Sequence, residues 1–268
     1  MHDSTLALRT VLDPRPSAAA DAAPLPGAVH IPLTELPRRV HELPPADVEL
    51  PIAGPPALVA EVTAWLAAGG RRARPARPDE LANAARPGGP GRLWRPNPLL
   101  EACGSQLHGQ TALDVGCGTG RDAVYLASCG WQVTAVDVLP DAVARGRDLA
   151  SRYAGRLAPI MWQAADAACP TWRTAPHDLV VALRLSDERV LARLADWVAP
   201  GGSVLCETFT PTHRARHGRP AHALAAAALC DGVLGADAGA AWHVHRCEEA
   251  WRGLRHTAWL WAQRRSNG

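Results

Sequence analysis

The chain contains no lysine: all 28 basic residues among its 268 are arginine. Schiff-base and pyridoxal chemistry need a lysine amine, and a Walker loop needs a lysine on its phosphates, so those classes are excluded. The cysteines, at 103, 117, 129, 169, 206, 230 and 247, are odd in number and include no CxxC pair. That pattern argues against a disulfide framework and a zinc knuckle, and the expected setting is a reducing cytoplasm. The opening MHDSTLALRT lacks a basic region followed by an apolar run, so it does not read as a secretory signal. No stretch has the length of apolar sequence that a membrane span needs. An excess of one charge is missing as well. The 28 basic and 26 acidic residues leave +2, which suits neither a dedicated nucleic-acid binder nor a membrane-surface protein.

Residues 71–95, RRARPARPDELANAARPGGPGRLWR, hold seven arginines among glycines and prolines without a helical or strand period. The core of this stretch, 71–93, reads as a linker and solvated tether between a small domain at 1–70 and a larger one at 94–268. In the first domain the clearest element is a helix from Ala57 to Ala68, closed by Gly69-Gly70. After the linker, Asn97 can cap a helix whose first turn holds Pro98. Strand candidates then follow at 111–115, 131–136, 159–163, 178–183, 203–208, 242–247 and 257–263. Helices are expected between them at 121–128, 141–153, 187–198 and 223–234. This alternation predicts an α/β fold with a seven-stranded, mostly parallel sheet and helices on both faces. Trp259 and Trp261 alternate with Leu260 and Ala262, which suits packing on one sheet face.

The most informative run is Ala112-Leu113-Asp114-Val115-Gly116-Cys117-Gly118-Thr119-Gly120-Arg121, an apolar strand leading through a glycine-rich turn into a helix. Glycines permit positive φ and close approach of a ligand to the main chain, and the carboxyl end of a first strand is where α/β sheets bind nucleotides. A dinucleotide site would want a third glycine where Arg121 stands. Asp114, two residues before the first glycine, would repel a pyrophosphate. It suits instead the cationic amino-acid end of S-adenosylmethionine, directly or through water.

ALDVGCGTGRDAVYLA resembles motif I of class I S-adenosylmethionine-dependent methyltransferases, and further landmarks follow in order. Asp137, 17 residues after Gly120 at the end of the next strand, is implied by the resemblance to take both ribose hydroxyls. Asp166 in WQAADAA stands where the family has an acid near the adenine amino group. HDLVVALRL, with Asp178, is similar to the fourth strand, and Pro200-Gly201-Gly202 to the turn entering the fifth. The implied cofactor-binding set is Asp114, Gly116, Cys117, Gly118, Thr119, Gly120, Asp137, Val138, Asp166 and Ala167. GRDAVYLASCGWQVTAVDVLPDAV and CETFTPTH resemble the tellurite-resistance type and related small-molecule methyltransferases. A small soft acceptor, a thiol or a metalloid oxyanion, needs little general-base help, and no residue stands out as a base. Arg184, Glu207, His213 and His217 follow the fourth and fifth strands, on the side where substrate should enter, although each residue type there is more often a surface or capping residue. His243 and His245 lack a third ligand, so no metal site is expected. The rival reading is a non-catalytic S-adenosylmethionine-binding scaffold.

In the first domain VLDPRP, PGAVHIP and LTELPRRVHELP resemble the opening of a rhodanese-like domain. That family carries sulfur on a cysteine in the loop after the next strand. Residues 48–56, VELPIAGPP, hold no cysteine, so the resemblance implies a degenerate module without sulfurtransferase chemistry.

Overall fold

The computed structural model of the chain describes residues 4–86, 89–235 and 238–266, and they fall into two compact units that divide at Arg95/Pro96. The second unit is built on a seven-stranded sheet. Its strands are β1 (Thr111–Val115), β2 (Gln132–Asp137), β3 (Ile160–Ala164), β4 (His177–Leu183), β5 (Val198–Phe209), β6 (Trp242–Arg252) and β7 (Arg255–Arg264). Their order across the sheet is β6-β7-β5-β4-β1-β2-β3. The first five strands run parallel; β7 alone runs against them, and β6, paired antiparallel to β7 in a closing hairpin, returns to their direction. The strand order turns back between β1 and β4. That is the position where open α/β sheets leave a crevice at the carboxyl ends of their strands.

Alternation along the strands decides which side chains go to which face, because successive residues point to opposite sides. Leu113, Val180, Ala182, Val204, Cys206 and Leu260 belong to one core cluster, with Leu191, Trp197 and Leu229 over them. Ala112, Leu179, Val181, Leu205, Trp259 and Trp261 belong to the other, with Leu99, Leu100 and Leu126. Both tryptophans therefore pack on one sheet face, as their spacing predicts. The helices are α1 (Pro98–Cys103), α2 (Arg121–Ser128), α3 (Pro140–Ser151), α4 (Glu188–Leu191), α5 (Pro211–His217), α6 (Ala226–Leu234) and α7 (Ala238–Ala241). The Asn97 side chain caps α1 by accepting the Leu99 N–H at 2.9 Å.

Two expectations for this unit are corrected. The helix expected over 187–198 is broken into α4 and a 3₁₀ turn at Leu194–Trp197. Between them, the Arg193 guanidinium donates to the carbonyl oxygens of Cys169 (2.7 Å) and Trp172 (2.8 Å). Secondly, Pro200-Gly201-Gly202 lies inside β5 rather than ahead of it. The register against β4 jumps from His177↔Val198 to Leu179↔Ser203, and this bulge absorbs the turn-like residues. Gly202 is needed there because a Cβ would meet the Asp178 carbonyl oxygen at 2.8 Å.

The first unit spans Thr5–Arg95. Its four short parallel strands lie in the order Val29–His30, Leu12–Asp13, Leu50–Ile52, Ala73–Pro75, and a second pair joins Ala7–Leu8 to Gly91–Arg92. The helix Pro56–Ala68 forms, and Gly70 at φ +70 closes it in the left-handed region that favours glycine. Residues 71–93 therefore do not form a structureless linker: they hold two strands and a helix at Pro78–Ala84, and residues 87–88 lie outside the described residues. Arg74 explains the order. Its guanidinium pairs with Glu80 at 2.8 Å and with Glu49 at 3.0 Å, and the arginine holds the Glu80 carboxyl down at about 2. Pro75 ends an edge strand, where its missing N–H costs no ladder bond.

Candidate active site

Each turn at the carboxyl ends of β1 and β2 follows from its residues. Gly116, Gly118 and Gly120 all sit in the left-handed region, with φ of +71, +54 and +77. Only glycine takes three such positions within five residues without strain. The surroundings of the three differ. A Cβ on Gly120 would meet the Trp162 ring at 2.4 Å, and one on Gly116 would meet the Leu185 side chain at 3.1 Å, whereas a Cβ on Gly118 would meet nothing within 4 Å. Gly120 thus serves packing, and Gly118 leaves the main chain open.

Asp137 holds this turn. Its Oδ2 accepts the Gly118 N–H at 2.8 Å and its Oδ1 accepts the Leu139 N–H at 2.9 Å. Each carboxylate oxygen has two acceptor sites, so one remains on each for a ligand. Beside it a pocket is lined by Gly116, Asp137, Val138, Asp166 and Ala167 of the expected set, together with Leu185, Asp187, Arg189 and Val190. Asp166 is exposed and locally turned, its Oδ1 accepting the Ala168 N–H at 2.9 Å. Asp187 caps α4 by accepting the Arg189 N–H at 3.0 Å and pairs with the Arg189 guanidinium at 2.7 Å. The pairing with Arg189 holds the Asp187 carboxyl below its usual range.

Cys117, Gly118, Thr119, Gly120 and Asp114 are not among the residues lining this pocket. Asp114 lies behind the glycine turn and is only 2% exposed. Burial, and then the neighbouring Asp122 and Asp137, push its carboxyl well above the usual range, while the Ala123 N–H opposes the shift. Its Oδ2 finds no hydrogen-bond partner. The Cys117 thiol is likewise raised, by burial first and then by Asp114 and Asp137, so it is no thiolate. Asp122, in the first turn of α2, escaped the sequence reading because an acid there reads simply as a favourable charge at a helix start. It accepts the Asn97 N–H at 2.6 Å. Leu185, Asp187, Arg189 and Val190 were missed as well. The only available signal was their place just after the fourth strand.

Next to this pocket, and sharing Leu185, Asp187 and Arg189 with it, a second pocket is lined by Arg184, Ser186 and His222. Arg184 is the one non-glycine with positive φ (64°) among the described residues, a conformation that costs about 1–3 kcal/mol and clusters at functional sites. Its N–H donates to the Glu207 carbonyl oxygen at 2.7 Å, and its Nε stands 3.7 Å from the Glu207 carboxylate. Glu207 is not a surface residue. It is buried in β5, where Trp259 Nε1 donates to it at 2.9 Å and Asn97 Nδ2 donates to its other oxygen.

His213 and His217 belong to a third pocket, with Phe209, Arg219, Pro220, Leu254 and Arg255. Phe209, His213 and His217 form a column with ring centroids 4.5 and 4.4 Å apart. His213 Nδ1 accepts the His256 N–H at 3.3 Å, and burial, then His217, Arg255, His256 and Arg219, lower its pKa. Every charged neighbour in that set is cationic, and no acid lines the pocket. His243 and His245 are exposed on β6, and His245 stacks on Trp261 at 4.2 Å.

Comparison with known proteins agrees with this geometry. The family described as a methyltransferase domain matches residues 112–202, from β1 into β5. Uncharacterized methyltransferases of Mycobacterium tuberculosis and Mycobacterium bovis are 39% identical over 111 residues, covering 39% of this chain and 54% of theirs. The chain therefore spans about half the length of the curated relatives it matches. Among solved structures, one from work on the conversion of a disulfide bond into a thioacetal group during echinomycin biosynthesis has a TM-score of 0.52 at 23% identity, covering 65% of this chain and 84% of that one. That likeness is one of fold. The N-methyltransferase NodS of Bradyrhizobium japonicum, in complex with S-adenosyl-L-homocysteine, has a TM-score of 0.48 at 19% identity, over 63% and 88% of the two chains. The second unit thus has a Rossmann-like sheet, and its residues 112–202 match the methyltransferase-domain family.

Proposed function

We propose that the chain is an S-adenosylmethionine-dependent methyltransferase acting on a small acceptor. The observation that carries this reading is the pocket at the ends of β1 and β2, where Asp137 and Asp166 stand beside a glycine turn. The fit to the cofactor rests on charge and on unfilled acceptors. Asp137 keeps one acceptor position on each oxygen, matched to the two hydroxyls of a ribose. Asp114, with its unpartnered Oδ2, and its neighbours Asp122 and Asp137 gather carboxyl groups behind the turn, which suits the ammonium and sulfonium groups of a sulfonium amino acid. In this reading Asp137 holds the ribose, Asp166 lies towards the adenine amino group, and the turn from Gly116 to Gly120, with Cys117 and Thr119, gives main-chain approach. The bound cofactor would supply a methyl group already activated on sulfur.

What remains for the protein is alignment and exclusion of water. Arg184, Leu185 and Ser186 line the neighbouring pocket and would position the acceptor. Neither Glu207 nor His213 is placed as a free general base: Glu207 accepts from Trp259 and Asn97, and His213 Nδ1 accepts the His256 N–H. A soft nucleophile that needs little deprotonation therefore suits the site better than an amine or a hydroxyl. The separate pocket of His217, Arg219 and Arg255, which no acid lines, would draw an anion rather than a neutral thiol towards that site, in keeping with the tellurite-resistance-type resemblance. The first unit is read as a rhodanese-like module without its sulfur carrier. Ala53 directly follows the strand Leu50–Ile52, and the helix begins at Pro56, so no thiol stands in that loop. Among the described residues no helix is long and apolar enough to cross a membrane, and the unpaired cysteines suit a cytoplasmic enzyme.

The test is transfer of labelled methyl by the full chain to a panel of thiols, metalloid oxyanions, tRNA and protein. Labelling of a small anion or thiol supports the reading. Labelling of macromolecules alone refutes the acceptor class. Cofactor binding with no transfer to any acceptor favours the scaffold alternative.

A further inference from the structure

Of the seven cysteines, Cys103, Cys117, Cys129 and Cys206 are buried, whereas Cys169 and Cys230 are partly exposed and Cys247 is exposed. Cys230 and Cys247 lie 17 residues apart in the chain, one on α6 and the other on the edge strand β6. Two neighbouring side chains of β6 seat the start of that helix. The Cys247 thiol donates to the Ala226 carbonyl oxygen at 3.4 Å, and Glu249 Oε2 accepts the Ala226 N–H at 3.1 Å. Positions 247 and 249 share a sheet face, and Ala226 and Cys230 are one turn apart on a common helix face. The helix is thus laid over Cys247 so that Cys230, one turn on from Ala226, comes beside it. Burial first, and then this neighbour, push the Cys230 thiol up to about 11.

We infer that Cys230 and Cys247 form a peroxide-oxidisable dithiol, which closes to an intramolecular disulfide between α6 and β6. The exposed Cys247 sulfur reacts first. Its thiolate attacks one peroxide oxygen, the O–O bond breaks, and the products are a sulfenic acid and hydroxide. The Cys230 thiolate then attacks the Cys247 sulfur and the S–OH bond breaks. The departing hydroxide takes up the proton that Cys230 has shed, so that two thiols and one peroxide give one disulfide and two waters. The cysteines surrender two electrons and the peroxide accepts them. The opposite assignment is weaker: Cys230 is less exposed, and its raised pKa leaves it little thiolate with which to begin. The bond would tie α6, within the segment between β5 and β6, to the sheet edge.

Cys169 is the competing thiol. It contacts the Thr171 hydroxyl at 3.1 Å, and that hydrogen bond lowers its pKa. The experiment therefore uses the full chain carrying Cys169→Ser. It is treated with a few equivalents of hydrogen peroxide, and the remaining thiols are blocked before cleavage at arginine. Cleavage after Arg246 and Arg252 releases Cys247 on the peptide CEEAWR, apart from the peptide bearing Cys230. The expected result is this pair of peptides linked by a disulfide, with two thiols lost and no covalent dimer. Cys230→Ser should instead leave a Cys247 sulfenic acid that dimedone traps. Amide exchange over 226–234 should slow at least tenfold in the cross-linked chain. Oxidation of Cys247 to the sulfinic acid, or into a dimer, while Cys230 stays alkylatable would overturn the dithiol. Unchanged exchange over 226–234 in a fully cross-linked sample would overturn the tether.

Discussion

Alanine at Gly120 and alanine at Gly118 are the same chemical change at two positions of one turn, and the structure separates their effects. Both replacements force a side chain into the left-handed region, at φ of +77 and +54. That conformational term costs about 1–2 kcal/mol in each, offset by about 0.4–1 kcal/mol from the stiffer unfolded chain. At Gly120 the new methyl would also lie 2.4 Å from Trp162 Cη2 and 3.0 Å from the Gly146 Cα, where neither the ring nor the backbone can yield cheaply. Overpacking of this kind adds about 1–3 kcal/mol. Gly118→Ala has no such term, because nothing lies within 4 Å of its Cβ. The expected destabilisation is therefore about 1 kcal/mol for Gly118→Ala and about 2–4 kcal/mol for Gly120→Ala. Urea denaturation followed by circular dichroism, with equal slopes for wild type and variants, would measure both. The order should reverse in cofactor binding by folded protein. Gly118→Ala puts a methyl into open space next to the N–H that Asp137 holds, so it should weaken S-adenosylhomocysteine binding despite its small stability cost. Equal stability of the two variants, or a Gly120→Ala chain as stable as wild type, would refute the division of labour.

Asp114→Asn tests the buried acid. A carboxyl raised in the folded state contributes stability that is present below its unfolded pKa, about 4, and lost as pH rises through the folded value. The asparagine cannot ionise, so urea melts taken upwards from about pH 4 should show the variant gaining on wild type as pH rises; a constant difference would contradict the assignment. Asn97→Ala removes the α1 cap and a donor to the buried Glu207 together. A loss of about 2–4 kcal/mol is expected by denaturation, and a loss below 0.5 kcal/mol, about what an exposed site would give, would show that this polar cluster does not hold β5 to α1. Arg219→Ala combined with Arg255→Ala should raise KM for an anionic acceptor at least tenfold while cofactor affinity stays constant, and an unchanged KM would remove the cationic pocket from the acceptor's path.

The parallel sheet was legible because each strand carries its own apolar run and the turn after the first strand its own glycines. Thr111–Val115 and Arg121–Ser128 form as their residues require, since β-branched and apolar residues stop at Gly116 and resume in a helical period at Arg121. What stayed hidden depends on partners distant in sequence. The strand Ala73–Pro75 exists because it pairs with Leu50–Ile52 and because Arg74 meets Glu49, whereas its own composition reads as a tether. The break after α4 depends on Arg193 reaching carbonyl groups more than 20 residues earlier. In the site, Asp137 and Asp166 could be placed by motif and strand ends, and both reach the pocket. Asp114 could be singled out but not located: its alternation places it between sheet and helix, and only the folded chain shows that it lies behind the turn. Leu185 and Val190 are ordinary apolar residues, and only three-dimensional proximity makes them part of the wall.

The central claim is that this pocket holds S-adenosylmethionine through Asp137, and titration calorimetry tests it most directly. Wild-type chain and Asp137→Ala would be titrated with S-adenosylmethionine and with S-adenosylhomocysteine, after denaturation has confirmed that both proteins are folded. A carboxylate that accepts two ligand hydroxyls through charge-assisted bonds of about 1.5–3 kcal/mol each should, when removed, weaken binding at least tenfold for both compounds. Equal affinity in wild type and variant, or no binding by wild type, would contradict the account.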